Sequence, residues 1–153
     1  MKVKCVKNIS EKDSYPVLVL PLNPNMDLSN NNFINSSDWY NTIDSQFVGH
    51  SISVGQLYDV YAVFIMNNTV RYLIFDDQSE PKFYSSELFE CIDHTLPFDC
   101  HLHSFCGKNL NFMIIGQKDF ESYGFVADFI GSKEYTILSL IEYRDCLNKW
   151  GFS

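Results

Sequence analysis

No stretch of this 153-residue chain reaches 18 uninterrupted apolar residues, so no helical membrane span is expected. Its first seven residues, Met-Lys-Val-Lys-Cys-Val-Lys, alternate charge and apolarity. A secretory leader needs a continuous apolar run after its basic start, so no export signal is expected there and a cytoplasmic location is. The chain also lacks a CxxC pair, a Gly-rich phosphate loop, a G-x-S-x-G elbow and an H-E-x-x-H helix. Each motif places a thiolate, a phosphate cradle, a nucleophile or a metal in a set geometry. Without them neither an enzyme nor a cofactor is expected.

Cations are scarce through the middle of the chain. No Lys or Arg stands between Lys12 and Arg71. Residues 1–12 carry four lysines against one glutamate, net +3. Residues 13–107 carry twelve acids against Arg71 and Lys82, net −10, and residues 108–153 net −1, giving −8 for the chain. Phosphate binding needs clustered Lys and Arg, so nucleic acid is not expected as a partner. The acidic middle projects a negative field, which speeds encounter with a basic partner.

What the chain has is apolar mass: 46 % of residues, including 13 Phe, 9 Tyr and 2 Trp. That is enough to bury one core, and the length suits one domain over 1–153. Residues 2–8 alternate as a strand, and 17–20 form a short apolar run between Pro16 and Pro21. Residues 11–49 read as an Asn-rich insertion of turn chemistry, punctuated by Phe33, Ile34, Trp39, Tyr40, Ile43 and Phe47. Within it, Ser37 is expected to cap a short helix that includes Trp39 and Tyr40. A strand over 57–66 turns at Asn67-Asn68 into a return strand at 69–75. A second turn at 76–79 leads to 81–84, then to a helical turn near 85–89 capped by Ser85 or Ser86. Residues 100–106 and 111–116 predict two more strands. Residues 119–129 predict a helix broken at Gly131. Ser132 is expected to cap a second helix that turns Tyr135, Leu138, Ser139, Ile141, Cys146 and Trp150 to one face.

Candidate chemistry is thin. The five cysteines are odd in number and irregularly spaced, which favours reduced thiols, with Cys5 and Cys146 as small core residues. On a strand over 100–106, His101 and His103 share one face while Cys100 and Cys106 share the other, so no metal site is expected. Asp76-Asp77 is expected to accept backbone N–H groups in a turn rather than to work as an acid–base pair. Cys91 and His94 could form a nucleophile and base, but no orienting third group is visible. Tyr58, Tyr61, Tyr72 and Tyr84 could line a peptide groove, or Tyr61 and Tyr72 could simply pair across strands.

Val3 to Asn8, Val54 to Val60, Tyr72 to Asp77 and Phe83 to Glu90 together resemble the elements of a small bacterial SH3-like barrel. The resemblance implies an α+β fold: an SH3-like antiparallel β-barrel or curled sheet from residues 1–10 and 50–93, with residues 94–153 packed on it as strands and C-terminal helices. The longer unit Tyr-Leu-Ile-x-Asp-Asp, then Pro-x-Phe-Tyr-x-x-x-Leu-Phe-Glu-x-x-Asp and Leu-Pro, is similar to bacterial immunity-type proteins found beside contact-dependent or polymorphic toxins. It implies a protein that neutralises a cognate toxin by stoichiometric binding. The acidic middle segment suits a toxin with a basic cleft, such as a nuclease. Asp38, Trp39, Tyr40, Asp76, Asp77, Glu80, Tyr84 and Glu87 are the candidate partner contacts. The alternative is an SH3-like adaptor or regulatory module that binds a peptide or protein through its tyrosine face.

Overall fold

The computed structural model describes residues 1–7, 19–21, 39–41, 51–66, 68–107 and 111–151. The fold is mixed α+β, with antiparallel sheets followed by two helices. One sheet has three strands in the order β4-β1-β8, where β1 is Lys2–Cys5, β4 Leu57–Asp59 and β8 Phe89–Asp93. The other has five, in the order β7-β6-β5-β10-β9. Here β5 is Ala62–Met66, β6 Thr69–Phe75, β7 Pro81–Ser85, β9 His101–Cys106 and β10 Asn111–Gly116. A separate ribbon pairs β2 (Val19–Pro21) with β3 (Trp39–Asn41).

Three corrections to the expected elements follow. The run expected as one strand over 57–66 breaks at Val60-Tyr61, which hands the chain from the three-stranded sheet to the five-stranded one. Phe89–Asp93 is a strand paired with β1, not the tail of a helical turn. Trp39–Asn41 is strand rather than helix: two adjacent aromatics favour an extended, paired backbone over a cap signal. Ser37 and Asp38 lie outside the described residues, as do Phe33, Ile34, Ile43 and Phe47.

The period of two sorts the five-stranded sheet into two apolar faces. Val63, Ile65, Tyr72, Ile74, Tyr84 and Ile115 face the three-stranded sheet and pack with Val3, Cys5, Ile52, Tyr58, Val60, Leu88 and Phe89. Ala62, Phe64, Leu73, Phe83, Phe112 and Ile114 face the helices. Those are α1, Tyr123–Ile130, and α2, Glu134–Lys149. The result is three layers: small sheet, large sheet, helices. Turn chemistry closes the corners as expected. Asn68 has φ +62° in the β5–β6 turn, Ser79 has φ +61° in the β6–β7 turn, and Gly55 has φ +88° ahead of β4. The last value lies in the region that only glycine enters without cost. Gly116 serves differently, by size: a Cβ there would stand 2.7 Å from the Phe120 ring, so its absence lets that fully buried ring lie on the sheet.

The helix layer holds one more correction. Ser122 caps α1 through its hydroxyl, which accepts from Phe125 N. Gly131 ends the helix. Ser132, however, does not cap α2. It sits at φ +59°, and Lys133 takes the cap position. The inward face of α2 is Thr136, Leu140 and Leu147, with Ile137 and Tyr143 beside them. Tyr135, Leu138, Cys146 and Trp150, expected inward, are exposed. No helix among the described residues is long and apolar enough to cross a membrane.

Candidate functional site

The β6–β7 corner, residues 76–80, is built around one buried carboxylate. Asp76 Oδ1 accepts from Gln78 N at 2.9 Å and Glu80 N at 3.0 Å, an Asx-type turn in which the side chain takes the place of a backbone carbonyl. Its Oδ2 accepts from Tyr84 Oη at 3.0 Å and Lys82 Nζ at 3.2 Å. Four donors on one fully buried carboxylate group offset the desolvation of its charge. Lys82 also reaches Glu80 at 2.6 Å. Burial alone would lower the lysine's pKa. Its bonds to Glu80 and Asp76 outweigh that and hold it above the ordinary value. Burial, then the Asp76 charge and its hydrogen bond, push Tyr84 far upward, so it stays a neutral donor.

Asp77 points the other way and straps the corner to the segment ahead of β4. Its Oδ1 accepts from Tyr58 Oη and its Oδ2 from Ser53 Oγ, both at 2.6 Å, while its N–H bonds Ser51 O at 2.8 Å. Tyr58 in turn accepts from Ser53 N at 2.8 Å. Burial first, and then the bond to Asp77, push Tyr58 up to about 12. The two adjacent aspartates are thus both acceptors, on opposite sides of the turn, and the corner is stiff.

The expected contacts divide. Asp77 and Glu80 are exposed on this corner. Asp76 and Tyr84, at 5 % and 2 % exposure, are buried within it, so they hold the surface but do not form it. Glu87 is exposed in the 3₁₀ turn Ser86–Leu88, where its N–H bonds the capping Ser85 hydroxyl. The length of β7 separates it from Asp77 and Glu80. Trp39 and Tyr40 are described only as backbone of the β2–β3 ribbon, which lies against α1, and Asp38 falls outside the described residues.

The tyrosine groove does not form. Tyr58, Tyr61 and Tyr84 are buried, and only Tyr72 keeps partial exposure. Tyr61 and Tyr72 are not cross-strand partners either. Tyr72 stands opposite Val63 and Tyr84, whereas Tyr61 faces the helices against Phe75 and Tyr143. Burial, and then the Asp59 charge, push Tyr61 up to about 12. The His101 and His103 rings are neighbours, with centroids 6.5 Å apart, and His103 Nε2 lies 3.2 Å from Gln117 O. No group of three His, Cys, Asp or Glu among the described residues could hold a metal ion. All five cysteines are free. No protein-family model, curated protein or solved structure matches the chain.

Proposed function

We propose that this chain is an immunity-type protein: it neutralises a cognate bacterial toxin, such as a nuclease, by covering a basic active-site cleft in a stoichiometric complex. The observation that carries the reading is the corner at 76–80. Its buried Asp76 pins the turn, so Asp77 and Glu80 are presented as charged groups on a preorganised surface. Preorganisation lowers the ordering cost of association, and exposed carboxylates steer a cationic surface toward it. The likeness of the unit from Tyr72 to Pro97 to immunity-type sequences points the same way. The strand order supports an SH3-like reading of residues 1–8 and 52–93. After β1 and the inserted β2–β3 ribbon, the broken β4–β5 strand, β6, β7, a 3₁₀ turn and β8 come in that order, with β8 returning to pair with β1. An adaptor that grips peptides on tyrosines has less support, because only Tyr72 of the four is partly open.

Co-expression with the product of the adjacent gene, which this reading expects to be a toxin, tests the proposal. The expected result is rescue of growth and a one-to-one complex. Glu80→Lys is expected to slow association about tenfold at low salt, with the gap closing as screening grows. No protection and no complex would sink the proposal.

A further inference from the structure

The end of β8 carries a second arrangement, apart from the acidic corner. Val3 stands opposite Cys91 and Lys2 opposite Asp93, so Ile92 is an extra residue and the ladder is irregular there. Such a bulge re-aims the side chains beside it. The chain then turns tightly. Asp93 Oδ1 accepts from Thr95 N at 2.9 Å, and Thr95 O is held by the Met1 ammonium. This turn brings the His94 ring back over the strand, with Nδ1 3.3 Å from Cys91 Sγ. Asp93 O lies 3.6 Å from the same sulfur and can accept its S–H. His94 is exposed and Cys91 is partly exposed, so a small reagent can reach the sulfur.

The other thiols are placed differently. Cys5 is fully buried. Burial pushes Cys100 up to about 11. Cys106 and Cys146 are exposed, but among the described residues neither has a hydrogen-bonded base. Among the described residues, partial exposure and an imidazole within hydrogen-bond reach therefore coincide at Cys91 alone.

We propose that Cys91 is a site of reversible S-thiolation by low-molecular-weight disulfides, with His94 as its proton acceptor. His94 Nδ1 takes the thiol proton, and the Cys91 sulfur attacks one sulfur of the disulfide R–S–S–R. A Cys91–S–S–R bond forms as the reagent's S–S bond breaks. The leaving RS⁻ carries off the electron pair and takes up the proton from His94. The reagent's disulfide supplies the oxidising equivalents, so no other oxidant enters. The adduct lands where Cys91 packs beside the core between the two sheets.

The full-length protein is exposed to glutathione disulfide at pH 6 to 8, and adducts are mapped by peptide mass spectrometry over time. Cys91 is expected to react first, ahead of the more exposed Cys106 and Cys146. His94→Gln is expected to slow Cys91 about tenfold near neutral pH and to steepen its pH dependence. Cys5, fully buried, is expected to stay unmodified in the same sample, which shows that the variant is folded. Faster modification of Cys106 or Cys146 in the wild-type protein would overturn the proposal. So would an unchanged Cys91 rate in His94→Gln.

Discussion

The two faces of the five-stranded sheet solve the same burial problem with different chemistry. Toward the helices a run of aromatic rings packs among aliphatic side chains such as Leu73, Ile114 and Leu140. Phe64 stacks on Phe112 at 5.1 Å, Phe112 on Phe105 at 4.7 Å, and Phe83 meets Phe129 edge-on at 5.5 Å. Toward the three-stranded sheet, aliphatic packing ends in a polar rim where Tyr58 and Tyr84 hand their hydroxyls to Asp77 and Asp76. The first face gains from area and ring geometry, which tolerate sliding. The second fixes one register, because moving any member of the network strands a buried donor or acceptor. A surface meant to meet a partner is better set by the second kind of contact.

Truncation of the aromatic face is expected to cost most. Phe64→Ala opens a cavity between sheet and helices at a fully buried position and is expected to lose about 4 kcal/mol in urea unfolding. Asp76→Ala tests the polar rim. It leaves Tyr84 Oη without its acceptor and Lys82 with Glu80 alone, and is expected to lose about 3 kcal/mol. If it lost as little as a surface change, the corner would not be the rigid element described above. Alkali probes both faces at once. Tyr58 and Tyr61 titrate at about 12 in the folded chain against the ordinary 10. Folding therefore favours their neutral forms, and this contribution is present in full below pH 10 and lost as pH climbs toward 12. The urea midpoint is expected to fall across that window. Tyr61→Phe should flatten the fall without touching the rim, and Tyr58→Phe should flatten it while loosening Asp77. The smallest effect is expected from Leu138→Ala, within about 0.5 kcal/mol because that side chain lies on the outer face of α2.

The strand side was the more legible of the two faces. Alternation located β6 at 69–75 and β10 at 111–116, and Asn68 and Gly55 mark turns in the conformations their residue types suggest, whereas Ser79 takes a positive φ that its type does not favour. β8 escaped because its partner β1 lies more than eighty residues away, and Phe-Glu-Cys-Ile-Asp carries no clean alternation. On α2 the phase was misread for a specific reason. Thr136 looks polar but is fully buried, its hydroxyl donating to Lys133 O at 2.6 Å. Meanwhile Leu138 and Trp150 look like core and are not. At the site, the sequence marked Asp76-Asp77 as turn acceptors. It could not tell that Asp76 and Tyr84 face inward while Asp77 and Glu80 face out, since that division depends on Lys82, Ser53 and Tyr58 converging from other elements.

The position of β10 has a further consequence. By pairing with β5 it converts what would be an open rim into the middle of a sheet. Val63, Phe64 and Ile65 on that strand are apolar on both sides. A chain cut after Asp93 would expose their backbone as a sticky template, and light scattering should show it gathering into oligomers. In the intact protein the outermost described strand, β9, instead presents His101, Ser104 and Cys106 to water beside one exposed leucine, Leu102, a border less prone to recruit its neighbours than the wholly apolar β5.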